Sequence, residues 1–300
     1  MRELDFAYVG LGVHEEVVYS VAEELGYYAD EDVRVAIRDG VRWDDDRLRR
    51  AAVVGLGRTL LVRLLAGTPW TMLCVNTERP LFWLMARAQF TDVAELRGRR
   101  VAMHPALVAP GCFARIILRG RGLDPDTDIH AVPMHPGDYS EHVRLLKRGE
   151  LDGAVIGSTL SPEQLETEEG LRRLLFFGDE LQIPTTGVAV DPSVLPLDDP
   201  RVRGLVRANL RALGAMLDDP ALGAEHVGRL LPAADDTTAR DFYDRYVGPR
   251  FKADGQPDPG VVARALPLVT EELRIITGHV VDAPPAEEIY RPDLTAAWMP

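Results

Sequence analysis

Two stretches decide the fold: FAYVGLGVHEE (residues 6–16) and AAVVGLGRTLL (residues 51–61). In each, a short apolar run ends in Val-Gly-Leu-Gly and passes into a helix-like pattern, the strand–loop–helix unit of an open α/β sheet. A dinucleotide-binding loop needs a third glycine for close helix–strand packing. That position holds Glu15 in the first copy and Leu60 in the second, so neither loop reads as a nucleotide cradle. The glycines are expected instead to let backbone approach a ligand with no Cβ in the way. Glu15 reads as a first-turn carboxylate that complements the helix dipole.

Working outward, the periodicity predicts a strand over 4–10 and a helix over 14–25 with Val17, Val18, Val21, Ala22 and Leu25 on one face, stopped at Gly26. Strands over 33–37, 51–54 and 70–75 and a helix over 59–66 complete a βαβαβ lobe. The alternation then restarts. Asp92 to Glu95 is a capping box, followed by a strand over 100–103, a helix over 112–120, a strand over 129–133, a helix over 140–148 and a strand over 151–156. Ser161-Pro162-Glu163-Gln164 starts a further helix, and 171–178 and 185–190 read as strands. From residue 199 the pattern is helical, over 200–218, 220–230, 237–246 and 259–277, ending in the Pro-rich DAPPAEEIYRPDLTAAW (282–298), read as a surface tail.

The predicted fold class is therefore α/β, with two open lobes joined by crossing segments near 81–88 and 183–190. Lobe 1 is 1–87 and 193–300, with the C-terminal helices packed on it; lobe 2 is 88–192. Such lobes are expected to close by a hinge on a ligand beyond the carboxyl ends of their strands.

Composition narrows the function. Three hundred residues, 46% of them apolar, exceed one hydrophobic core. With 34 Lys and Arg against 47 Asp and Glu, the net charge of -13 argues against a nucleic-acid partner, which demands clustered cations. No apolar run reaches the ~18 residues of a membrane span. Cys74 and Cys112 are the only thiols, too few for a thiolate zinc site. His130, His135 and His142 offer no H-x-x-x-H pair, and there is no phosphate-binding P-loop or nucleophile elbow, so no metal and no cofactor is expected. The start MRELDFAYVGLG has no signal-peptide pattern. As written the chain is expected in the cytoplasm, and in the periplasm or otherwise outside the cytoplasm if Met1 follows a removed leader.

GLGVHEEVVYSVAEELGYYADEDVRVAI (10–37), ELRGRRVAM (95–103), GCFARIILRGRGLDPDTDIHAV (111–132) and LLKRGELDGAVIG (145–157) resemble, in order, the two lobes of the nitrate-, sulfonate- and thiamine-pyrimidine-type solute-binding proteins. The resemblance implies the two-lobed type II periplasmic-binding-protein fold of ABC-transporter substrate-binding proteins. Related pyrimidine synthases carry a histidine after the strand that here ends at Val54 and a cysteine cluster at the returning crossing. This chain has Arg58 and IPTTGVAV (183–190) in those places. Sulfinate-cleaving relatives place a thiol at the end of the first strand, and residues 10–14 contain none.

The candidate ligand residues follow from loop position. Gly12 and His14 open the first helix, where the dipole favours an anion and keeps an imidazole neutral. Gly57, Arg58 and Thr59 stand in the second copy, Arg58 as a fork for an oxyanion and Thr59 as an N-cap. Arg42 adds charge and Trp43 a stacking face. In lobe 2, His104 ends a strand, and Gly111, Cys112 and Phe113 open a helix whose N-terminus is expected to depress the Cys112 pKa. Gly157, Ser158 and Thr159 follow a strand, and Thr185 and Thr186 lie on the return crossing. The leading expectation is a protein that closes on a small anionic or aromatic organic ligand, a sulfonate, carboxylate or pyrimidine-like molecule, with an ABC-transporter permease as partner if exported. The competing expectation is a cytoplasmic decarboxylase, lyase or hydrolase with His14 or His104 as acid/base and Arg58 holding a carboxylate.

Overall fold

A computed structural model describes residues 2–10, 12–133, 139–231 and 234–299. Leu11 of the first loop and His135 lie outside them. Up to Thr77 the elements are β1 (Arg2–Tyr8), α1 (Val13–Glu24), α2 (Tyr27–Asp30), β2 (Val33–Asp39), α3 (Asp45–Leu48), β3 (Ala52–Gly55), α4 (Leu56–Ala66) and β4 (Thr71–Thr77). The middle of the chain holds β5 (Phe82–Arg87), a 3-10 turn (Val93–Leu96), β6 (Arg100–Met103), α5 (Ala109–Gly120), β7 (His130–Pro133), α6 (Tyr139–Lys147), β8 (Gly153–Gly157), α7 (Pro162–Thr167), β9 (Leu171–Phe176) and α8 (Phe177–Glu180). It continues through β10 (Thr186–Val190), α9 (Pro200–Asp218), α10 (Pro220–Leu230), α11 (Asp236–Phe242), α12 (Pro259–Thr277), α13 (Ala286–Ile289) and α14 (Pro292–Ala297).

The chain forms two compact units. Unit 1 is Met1–Glu78, Ile183–Ala263 and Asp282–Pro300; unit 2 is Arg79–Gln182 and Arg264–Val281. The sheet of unit 1 runs β2-β1-β3-β10-β4 and that of unit 2 runs β7-β6-β8-β5-β9. Each has a parallel trio and one antiparallel strand in fourth place, β10 between β3 and β4 and β5 between β8 and β9. Strands sandwiched by helices read as unbroken apolar runs: β3, β4, β8 and β10 are buried along their whole length. Helix α1 turns Val13, Val17, Val18, Val21 and Ala22 inward and ends at Gly26, whose φ of 73° puts it in the left-handed region. The expected capping box is present: Asp92 accepts from Ala94 N and Glu95 reaches back to Asp92 N. No helix among the described residues is long and apolar enough to cross a membrane.

Three expectations need correction. Residues 82–87, read as a crossing, form a strand that pairs on both sides; an apolar run buried on both faces shows no alternation to betray it. The C-terminal helices do not all belong to the first lobe. From Arg264 onward α12 groups with unit 2, where Glu272, 2% exposed, takes hydrogen bonds from Arg115 Nε (2.7 Å) and Arg119 Nε (2.9 Å) of α5. The tail is docked, not loose. Tyr290 bridges to Met72 at the edge of β4, Arg291 N donates to Met72 O, and the Thr295 hydroxyl donates to Leu73 O.

Candidate functional site

In a sheet ordered 2-1-3, the connections leaving the first and third strands diverge, and a crevice opens at their carboxyl ends. In unit 1 that point lies between β1 and β3, beside Gly10 and Gly55. It is filled by a side chain of the protein itself. Glu15, in the first turn of α1, folds back so that Oε2 accepts from Val9 N (3.3 Å) and Gly10 N (3.2 Å). A Cβ on Gly10 would lie 3.1 Å from Glu15 Oε1, and one on Gly55 would lie 2.2 Å from Val9 Cγ2 and 3.5 Å from that oxygen. The glycines expected to admit a ligand therefore admit this carboxyl and the Val9 side chain. Burial pushes the Glu15 carboxyl up to about 8, against the pull of the Gly10 and Val9 amides, with a smaller push from Glu16.

The other candidates of unit 1 surround this point. Gly12 is the N-cap of α1, and His14 is buried in its first turn, with its pKa lowered to about 3 by burial. Helix α4 starts at Leu56, so Gly55 and not Thr59 is its N-cap; the Thr59 hydroxyl donates to Leu56 O at 3.0 Å. The Leu56 and Gly57 amides donate to Thr185 O, at 2.9 and 3.3 Å, which removes two of the free helix-end donors offered to an anion. Arg58 donates from Nη2 to Trp43 O (3.1 Å) and stands 3.6 Å from Asp45, so its charge is partly answered. Arg47 covers a face of Trp43 at 3.9 Å from the ring centroid, engaging the predicted stacking surface. Thr186 opens β10 opposite Gly55 on one side and Thr77 on the other. The hydroxyls of Thr185 and Thr186 are buried without a hydrogen-bond partner among the described residues. A pocket lined by Glu31, Asp32, Arg201 and Arg203 opens beside the amino end of β2, the end at which this topology does not place ligands.

In unit 2 the equivalent point lies between β6 and β8. His104 follows β6 and Gly157 ends β8. Tyr139 fills the space between them: its ring sits where a Gly157 Cβ would be 2.6 Å away, and its hydroxyl meets His104 Nε2 at 3.1 Å. Phe82 packs edge-on to His104 with ring centroids 6.0 Å apart. His104 is 3% exposed; burial lowers its pKa to about 4, His142 adding to the shift, and its Nδ1 is buried without a partner among the described residues. Gly111 is required by close packing, since a Cβ would lie 2.1 Å from Pro105 O. Cys112 and Phe113 are core residues, at 0% and 1% exposed. The expected depression of the Cys112 pKa is overturned: burial pushes the thiol up to about 12, with Glu272 adding and Arg115 opposing, because the helix end cannot offset the lost water. Ser158 is buried and Thr159 half-buried after β8. At neutral pH both switch points thus present uncharged groups, and His14 and His104 are weak bases. The residue choices missed Glu15 as a site group, together with Tyr139 and Phe82. Glu15 carries a signal, a carboxylate where a fingerprint wants glycine; Tyr139 and Phe82 carry none apart from their neighbours in space.

The fold and its two switch points define an α/β protein of the two-lobed periplasmic-binding-protein class. Residues 15–222 match the model of the NMT1/THI5-like family, and the chain belongs to that family. Among solved structures it is similar to the periplasmic aliphatic sulphonate binding protein SsuA from Escherichia coli, at TM-score 0.74 and 15% identity over 97% of this chain and 92% of that one. It is also similar to the alkanesulfonate-binding protein SsuA from Xanthomonas axonopodis pv. citri bound to MOPS, at 0.70 and 14% over 99% and 97%. The desulfurization enzyme DSZB aligns at 0.69 and 15% over 99% of each chain. No curated protein sequence matches significantly. At these identities the likeness fixes the fold, and the same fold carries binding proteins and an enzyme.

The buried groups set opposite pH dependences. Glu15 holds its proton in the folded chain up to about 8 but loses it near 4.5 when unfolded, so its contribution is complete below pH 4.5 and disappears as pH rises through 8. His14 and His104, near 3 and 4 when folded and 6.5 when exposed, withdraw stability as pH falls below 6.5. Urea titrations at pH 5 and pH 8 are expected to show a smaller alkaline loss in Glu15→Gln than in the wild type. Equal losses would contradict a protonated Glu15.

Proposed function

We propose that this chain is a solute-binding protein that holds a small organic molecule at the carboxyl ends of its strands and presents it to an ABC-transporter permease. The supporting observation is three buried polar atoms without partners among the described residues, Thr185 Oγ1, Thr186 Oγ1 and His104 Nδ1, all beside the two switch points. Each unsatisfied group costs about 1–3 kcal/mol, a penalty that a ligand hydrogen bond relieves. Family membership and the likeness to sulfonate-binding proteins support the same reading. The ligand classes it covers are sulfonates, carboxylates and pyrimidine-like molecules.

A thermal-shift screen of those classes, extended to amides, tests it. At least one compound is expected to raise the melting temperature. Thr186→Val removes an unpartnered hydroxyl without changing shape, so it is expected to leave the free protein as stable or slightly more stable while weakening that compound at least about tenfold, or 1.4 kcal/mol. A screen with no response, or a Thr186→Val protein that binds as well as the wild type, contradicts the reading.

A further inference from the structure

We infer that Glu15 is the specificity-determining residue of the unit 1 edge: it occupies the backbone amides an oxyanion would need and turns Oε1 toward the ligand, selecting a carboxamide or amidine over a carboxylate or sulfonate. The inference rests on the solute-binding reading and narrows its ligand class.

The geometry carries it. A strand-to-helix loop whose successive N–H groups converge is an anion nest. Here the Val9 and Gly10 amides converge on Glu15 Oε2, so the nest holds an anion-shaped group already supplied by the chain. Oε1 has no donor among the described residues, and Glu15 is half-buried, not sealed. That oxygen lies at the β1/β3 switch point, within 3.5 Å of where a Gly55 Cβ would be, and Gly55 pairs with Thr186. An incoming N–H meets an acceptor there. An incoming oxyanion meets another carboxyl oxygen; if Oε1 is protonated it offers a single donor in place of two amides. The surroundings add to the discrimination. Glu16 and Asp39 stand near enough to β1 that, after burial, their charges raise the Tyr8 phenol. The cation sequence reading assigned to an oxyanion, Arg58, leans on Trp43 O and Asp45. The positional logic is that of negative selection, in which the nest's own occupant denies the wrong ligand its two amide donors.

The test uses four probes of one shape, benzamide, benzamidine, benzoate and benzenesulfonate, titrated calorimetrically at pH 9, where the Glu15 carboxyl is ionised and Oε1 is an acceptor, into wild type, Glu15→Ala and Glu15→Gln, each checked for folding by near-ultraviolet circular dichroism. In the wild type, benzamide or benzamidine is expected to bind at least about tenfold more tightly than either oxyanion. Glu15→Ala frees the two amides, and Glu15→Gln turns an NH2 group toward the ligand. Both are expected to invert the preference. A wild-type preference for an oxyanion, an unchanged preference in both folded variants, or binding of no probe to any of the three proteins overturns the inference. The solute-binding reading fails separately, when its wider screen finds no ligand at all.

Discussion

Glu272→Ala is expected to destabilise the protein by about 3–5 kcal/mol, the cost of breaking a buried ion pair from one side. The carboxylate on α12 is 2% exposed and Arg115 on α5 is 8% exposed. Arg115 Nε and Arg119 Nε each donate to one Glu272 oxygen, while their Nη2 atoms share Asp126 Oδ2 at 2.5 Å. Asp126 alone, half in water, cannot replace what the alanine removes. The guanidinium of Arg115 would then keep its burial and lose the buried one of its two counter-charges. Replacing both partners by apolar residues removes the desolvation penalty as well, so Arg115→Met with Glu272→Leu is expected to recover most of the loss. Urea unfolding of the three proteins reads this directly. A Glu272→Ala protein within 1 kcal/mol of wild type, on the scale of exposed pairs, would contradict the role given to the cluster.

The second large effect is expected at Gly187. A Cβ there would lie 1.9 Å from the Cys74 carbonyl oxygen and 2.8 Å from its carbon, both backbone atoms of the neighbouring strand. No side-chain rotation relieves such an overlap, so Gly187→Ala must part β10 from β4. A loss of about 3 kcal/mol or more is expected, at the upper end of overpacking costs. Because Thr186 is the adjacent residue, ligand response should vanish with it. Gly214 supplies the control. It sits within α9 with nothing inside 4 Å of its Cβ position, and Gly214→Ala is expected to stabilise by about 0.5–1 kcal/mol. Thermal melts that rank the two variants in the opposite order would refute the packing described for the sheet.

The alternation of strands and helices was legible because each amphipathic element repeats its own period: α9, α10 and α12 fall on the predicted residues, and β6 does so to the residue. Local chemistry was legible too, as at the Asp92–Glu95 box and the stop at Gly26. What stayed hidden depends on partners distant in sequence. β5 is a strand because β8 and β9 flank it. The tail is fixed because Tyr290 and Thr295 reach β4 across more than two hundred residues of chain, while its composition is that of a surface segment. In the candidate site, loop position alone pointed to the carboxyl ends of the strands but not to the groups that occupy them. Glu15 reads locally as a dipole-complementing carboxylate, and only Gly55, on another strand, leaves the space into which it folds. Cys112 reads as a reactive thiol at a helix end, yet the core that surrounds it makes it inert.

Amide hydrogen exchange with and without a ligand from the screen tests the central claim most directly, because local opening is suppressed where a ligand binds. Saturation is expected to slow exchange at residues 9–16, 55–59 and 185–187 of unit 1 and at 103–106 and 157–160 of unit 2, the segments around the two switch points. Protection confined to other segments, such as 31–33 with 200–204 at the amino end of β2, would place the ligand elsewhere and contradict the account.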